Sequence, residues 1–210
     1  MKTVFLTGGS SGIGQTFKQH LEQNSYEVIA PTRAELDLSD FNIDDVDLRS
    51  YDYLILCAGV DANGRIAFHK MSEDDFLDTI NVNLVSNMKL IHKYLRQRIF
   101  KPWSKVIVVG SDIVDGVYAE FGAYGTSKIA LEAFVSTIRL ETKNNNIGFT
   151  VIHPGLTKTN FHYNRGNVAE ENRNELYDSM PHMTVDELIP IFDQILNDEH
   201  HRIKKIHLSA

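Results

Sequence analysis

Short apolar-rich runs recur along the chain, and polar stretches of varied length separate them. The runs predict strands at Thr3–Thr7, Glu27–Ala30, Glu35–Leu38, Tyr53–Cys57, Lys105–Gly110, Phe149–His153 and Ile203–Leu208. Between them the apolar spacing changes to that of helices. Ile13, Phe17, His20 and Leu21 share one side of a helix that follows the first run. Long helices are predicted at Asp74–Ile99 and Tyr124–Lys143, the second with Leu131, Phe134, Val135 and Ile138 in the core. Thr184-Val185-Asp186-Glu187 reads as a capping box opening a helix whose apolar face is Leu188, Ile191, Phe192 and Ile195. Pro190 falls inside that pattern and should kink or shorten it. The acidic stretch from Leu38 to Tyr53 leaves room for a turn rather than a full helix. Alternating strands and helices imply α/β architecture: a single Rossmann-like, doubly wound parallel sheet of about seven strands with helices on both faces. No repeat or linker divides the chain, so residues 1–210 are expected to form one domain.

Composition narrows the partners. At 210 residues one α/β domain can bury a large core. A net charge of −7 argues against nucleic acid or an anionic membrane as the main partner. No apolar stretch reaches the roughly 20 residues needed to span a bilayer, and the first apolar run belongs to a strand rather than a signal peptide. The single Cys57 cannot form an internal disulfide, so a reducing cytoplasm is the expected compartment.

Two motifs carry chemistry. The first strand runs directly into Gly8-Gly9-Ser10-Ser11-Gly12-Ile13-Gly14 and then a helix. Glycines let a backbone approach phosphates, and a helix N-terminus offers free N–H groups and a positive dipole end. The spacing is TGxxxGxG rather than the commoner GxGxxG. A glycine-rich loop alone is often just a turn. In AYGTSKIALEAF, Tyr124 and Lys128 lie four residues apart, thirteen residues after Ser111. That spacing stacks a phenol and an ammonium on one helix face. The positive charge favours phenolate. Lowering a tyrosine from about 10 to near 7 takes roughly 4 kcal/mol, within reach of cationic groups in a partly dry cleft. Alone, YxxxK is as often a surface pair; beside the glycine loop, coincidence is a poor explanation.

Together these residues resemble the short-chain dehydrogenase/reductase family over nearly the whole chain. The resemblance assigns the cofactor loop to Thr7, Gly8, Gly12, Ile13 and Gly14, with Ser10 and Ser11 between them. It assigns a catalytic tetrad to Asn83 (in INVNL), Ser111, Tyr124 and Lys128. The family's proline-glycine loop corresponds to Pro154, Gly155, Leu156, Thr157, Lys158 and Thr159. Its NNAG segment appears as Leu56-Cys57-Ala58-Gly59; Ala58 and Gly59 match, and Cys57 replaces an asparagine as a packing substitution.

The implied activity is hydride transfer between a nicotinamide cofactor and a carbonyl or secondary alcohol. Tyr124 would donate the proton and Ser111 hold the carbonyl oxygen. Lys128 would lower the Tyr124 pKa and bind the ribose, and Asn83 anchor a relay water. Taken singly, Asn83 is a polar residue tolerated in a helix and Ser111 a strand-end serine capping a turn. A non-catalytic NADP-binding regulator is the alternative, although such proteins usually lose part of the tetrad. A nucleotide-sugar epimerase or dehydratase usually needs a larger C-terminal domain.

At the tip of the second strand, where NAD-selective relatives carry Asp, this chain has Thr32 followed by Arg33. A hydroxyl and a guanidinium suit a 2′-phosphate, so NADP is expected over NAD. Asp37 stands where relatives contact adenine. Residues 160–183 are expected to form a lid that is poorly ordered without ligand, with Phe161, His162, Tyr163 and Arg165 near substrate. By resemblance the two long helices should pair with their copies; the short C-terminus favours a homodimer over a tetramer. His153 is expected to shape the proline-glycine loop, Asp112 or Asp115 to face substrate or solvent, and His200-His201 to lie in an exposed turn without a metal.

Overall fold

Six of the apolar runs form one parallel sheet: β1 Thr3–Thr7, β2 Glu27–Ile29, β3 Tyr53–Leu56, β4 Lys105–Val109, β5 Gly148–Pro154 and β6 Lys205–Leu208. This computed structural model describes residues 1–48, 51–96, 100–161 and 175–209. Strand order is β2-β1-β3-β4-β5-β6, and every neighbouring pair is parallel. The order reverses between β1 and β3, the place where doubly wound sheets bind ligands.

The four inner strands read as near-continuous apolar runs because both faces are covered, whereas the edge strands β2 and β6 alternate with exposed residues. Alternate residues divide between two cores. Phe5, Leu54, Leu56, Val106 and Val108 pack with Leu90, Ile91 and Tyr94 of helix α3 (Ser86–Leu95) and Leu131 and Val135 of α4 (Gly122–Glu141). Val4, Leu6, Ile55 and Ile107 pack on the other face with Phe17 and Leu21 of α1 (Gly12–Gln23) and Phe192 and Ile195 of α6 (Ile189–Asn197). Phe17 and Phe192 stack with centroids 3.9 Å apart, and the His20 Nε2–Asp193 Oδ1 contact of 2.7 Å closes the same α1–α6 seam.

Three expectations need correction. Glu35–Leu38 is not a strand, so the described residues hold six strands rather than seven. Side chains capture that backbone: Thr32 donates its N–H and hydroxyl to Glu35, and Ser39 donates both to Asp37. The helix predicted at Asp74–Ile99 is divided into α2 (Glu73–Ile80), a π turn (Asn81–Val85) and α3, which ends at Leu95; residues 97–99 lie outside the described residues. His201 is not simply exposed, since its ring lies where a Cβ on Gly148 would be, 2.3 Å from Nδ1. The acidic segment after Leu38 does hold only a short turn, Ile43–Asp45. Thr184 donates its N–H to Glu187 at 2.6 Å, as a capping glutamate requires. Pro190 stands in the first turn of α6, where its missing N–H costs no helical hydrogen bond. A short helix, α5 (Glu175–Ser179), precedes α6.

Candidate active site

A cleft of about 620 Å³ opens over the C-terminal ends of β1, β3, β4 and β5. One wall is the glycine loop. Gly8 and Gly12 have φ of +76° and +52°, which glycine adopts at little cost. A Cβ on Gly14 would lie 2.2 Å from the Gly8 carbonyl oxygen, and one on Gly8 2.7 Å from the Ala58 nitrogen. No side chain fits there, and the N-terminus of α1 faces the cleft through Gly12, Ile13 and Gly14. Thr159 of the proline-glycine loop stands opposite, 3.2 Å from the position of a Gly12 Cβ. Thr7 Oγ1 accepts from the Cys57 and Ala58 N–H groups and ties the loop's base to β3. The Cys57 thiol packs 3.3 Å from the Gly14 Cβ position, and burial pushes its pKa up to about 12.

The opposite wall carries Ser111, Tyr124 and Lys128. Tyr124 lies in the first turn of α4 and Lys128 one turn on; both are buried and both line the cleft. Lys128 Nζ is 5.8 Å from the Tyr124 ring centroid and donates to the Val109 carbonyl at 3.1 Å. Burial lowers the Lys128 pKa to about 8. A Cβ on Gly59 would meet Lys128 Nζ at 3.3 Å and Asn83 Oδ1 at 3.4 Å, so this glycine keeps the two side chains side by side. Asn83 does not line the cleft. Its amide is locked beneath it by the Val60 N–H (2.8 Å), the Val60 carbonyl (2.8 Å) and Ser127 Oγ (3.0 Å). Asn83 lies in the π turn, and Asn87 Nδ2 donates to its carbonyl at 2.7 Å.

Ser111 lines the cleft at the end of β4 and also caps the turn Asp112–Asp115, its Oγ accepting from the Ile113 N–H at 3.2 Å. The turn-capping reading of this serine is met by that bond, and its place on the cleft wall leaves it within reach of a bound molecule. Asp112 accepts from Ser111 Oγ at 3.2 Å, and burial raises its pKa. Asp115 is directed away, to His207 Nδ1 at 3.0 Å.

Ser10, Ser11, Ala58, Pro154, Gly155, Leu156 and Thr157 complete the cleft. At its outer end Arg33, with 72% of its side chain exposed, pairs loosely with Asp37 at 3.4 Å, and both line the cleft. Thr32 does not; its hydroxyl is committed to Glu35. Sequence reasoning missed the far wall: Arg65, Tyr118, Phe121, Ile113 and Met180 join Phe161 there. Phe121 sits three residues before Tyr124, and the rings lie 6.4 Å apart; helical spacing held that signal. Phe161 approaches Tyr124 at 5.8 Å, whereas His162, Tyr163 and Arg165 lie outside the described residues.

The donor set suits a dinucleotide: a side-chain-free cradle at a helix N-terminus for phosphates, then a buried cation at the inner end. Among the described residues no helix is long and apolar enough to cross a membrane. The short chain dehydrogenase profile matches residues 41–169. A 3-oxoacyl-(acyl-carrier-protein) reductase from Buchnera aphidicola (subsp. Acyrthosiphon pisum, strain APS) is 29% identical over 185 residues, covering 76% of this chain and 75% of its own. Among solved structures, a closed serine dehydrogenase complexed with NADP+ superposes with a TM-score of 0.83 at 18% identity, covering 98% of this chain and 94% of that one. A 4-hydroxyisoleucine dehydrogenase complexed with NADH gives 0.79 at 21% identity, covering 99% and 97%. The chain belongs to the short-chain dehydrogenase/reductase family of oxidoreductases.

Proposed function

We propose that the protein interconverts a carbonyl compound and a secondary alcohol with a nicotinamide dinucleotide, NADP in preference to NAD, and that Tyr124 is its general acid-base. The observation that carries this reading is the convergence of Ser111, Tyr124 and buried Lys128 on the cleft that the glycine loop also lines. Thr7, Gly8, Ser10, Ser11, Gly12, Ile13, Gly14, Ala58, Gly59 and the loop from Pro154 to Thr159 would hold the dinucleotide. When bound, it supplies or accepts the hydride. The chain does the rest. Ser111 Oγ hydrogen-bonds the substrate oxygen and fixes its position. Tyr124 gives that oxygen a proton during reduction and takes one back during oxidation. Lys128 holds the ribose hydroxyls and biases Tyr124 toward phenolate. Asn83, locked beside Lys128, anchors the path by which the proton is replaced.

The preference for NADP rests on Arg33 alone, since Thr32 is engaged by Glu35. A guanidinium at the rim can leave the loose Asp37 contact for a phosphate. Exposed Leu77, Met88, Ile129 and Leu140 on α2, α3 and α4 support a homodimer through these helices, which light scattering at micromolar concentration tests.

The test of function is titration with NADPH and NADH, then turnover with a panel of ketones, aldehydes and sugars. Saturable NADPH binding with turnover of one panel member is expected. Binding without turnover of any member would instead fit a non-catalytic regulator and sink this reading.

A further inference from the structure

Directly beneath Ser111 lies a buried imidazole that the scheme above does not use. His153, on β5, is fully buried, and its Nδ1 lies 2.9 Å from the Ser111 carbonyl oxygen and 3.3 Å from the Ser111 nitrogen. One nitrogen cannot donate and accept at once, and the shorter contact assigns it the proton. Nε2 is then bare in the neutral ring. Glu132 Oε2 of α4 stands 3.4 Å from it, and among the described residues it has no hydrogen-bond partner.

The ring is confined on every side. A Cβ on Gly110 would lie 2.5 Å from His153 Nδ1, so the imidazole occupies space that any other residue at 110 would need. His207 of β6 stacks on it at 4.5 Å. His207 Nδ1 in turn meets Asp115, at the end of the turn that Ser111 caps. Lys205 of β6 holds Glu132 from outside at 2.7 Å. The charged and titratable groups around His153 are thus Glu132, Lys205, His207 and Asp115.

We propose that His153 is a positioning residue for Ser111: its Nδ1–H fixes the Ser111 peptide, and with His207 and Asp115 it ties the last strand to the turn that aims the Ser111 hydroxyl. This rests on the role given to Ser111 above. A serine left free to shift would hold the substrate oxygen poorly, while the glycine loop and Lys128, which do not depend on the Ser111 peptide, keep their hold on the cofactor.

Two variants separate positioning from packing. His153→Asn keeps an amide N–H where Nδ1 stood but loses volume; His153→Leu keeps volume but loses the donor. With NADPH and ethyl acetoacetate as probe, kcat should fall about tenfold or more in the Leu variant and stay within about threefold in the Asn variant, with NADPH affinity unchanged in both. A Leu variant as active as the Asn variant would overturn the proposal. Independently of turnover, 15N spectra of the unmodified protein at neutral pH should show His153 protonated at Nδ1 and bare at Nε2. The opposite tautomer would refute the contact. That spectrum decides His153 even if Tyr124→Phe leaves turnover intact and the proposed function fails.

Discussion

Two buried charges at opposite ends of the sheet, Asp52 and Lys128, are held in opposite ways. At the N-terminal end, Asp52 belongs to a cluster of polar groups committed to one another. Asp52, 2% exposed, accepts from the Thr3 N–H, Thr3 Oγ1 and Trp103 Nε1, and pairs with Lys101 at 2.5 Å. Lys2 donates to Tyr53 at 2.9 Å, and both lysines stand over the Trp103 ring. These contacts join β1 and β3 to the segment leading into β4, and the burial of Asp52 is matched by bonding. At the C-terminal end, Lys128 is 4% exposed, and its donated hydrogen bond goes to one backbone carbonyl. In the glycine loop across the cleft, Gly8 and Gly14 leave no room for a Cβ. The first arrangement stabilises the fold; the second leaves a buried ammonium sparsely bonded, at a cost in stability.

The sharpest break of this contrast is Lys128→Met. Its pKa is lowered from 10.5 to about 8 by burial, so the folded state resists the charged form. The unfolded chain binds the extra proton, and cofactor-free stability should rise as pH climbs from about 8 to 10.5. Removing the charge should stabilise the cofactor-free protein at pH 7 by about 1–3 kcal/mol, while turnover and NADPH affinity collapse. Chemical denaturation with and without NADPH measures both. A destabilised variant would show that Lys128 is fully compensated, like the opposite end.

Asp52→Ala should do the reverse. Loss of its bonds should cost about 2–4 kcal/mol in denaturant unfolding, with turnover per folded molecule unchanged. Its carboxyl is held below the usual range: burial pushes it up, but Lys101 and the Thr3 bonds outweigh that. The stabilisation is therefore present above a pH of about 4 and lost as acid titrates the folded form. A variant that keeps its stability but loses activity would dissolve the contrast.

Arg33→Ala is the smallest change. It should weaken NADPH binding by about 1–3 kcal/mol and leave NADH nearly unchanged. Equal weakening of both cofactors in fluorescence titration would place Arg33 on the adenine rather than the phosphate.

Much of this was legible in the chain. Six strands were readable because their apolar runs must fill both cores, and the glycine loop because phosphate approach needs residues without side chains. The seventh strand was misread because Thr32–Glu35 and Ser39–Asp37 bonding outweighs a weak alternation. The π turn was invisible because its cause is tertiary, the anchoring of Asn83 to Val60 and Ser127. The cavity for His153 is made by Gly110, 43 residues earlier in the sequence. Only the fold brings them together.

The most direct measurement is steady-state NADPH oxidation by Tyr124→Phe against the unmodified protein, using whichever carbonyl of the panel turns over, with NADPH affinity measured alongside. Removing only the hydroxyl should lower kcat by about 10²–10⁴, with the dissociation constant for NADPH unchanged. A Phe variant that retains most of its turnover would contradict the assignment of Tyr124 as the proton donor.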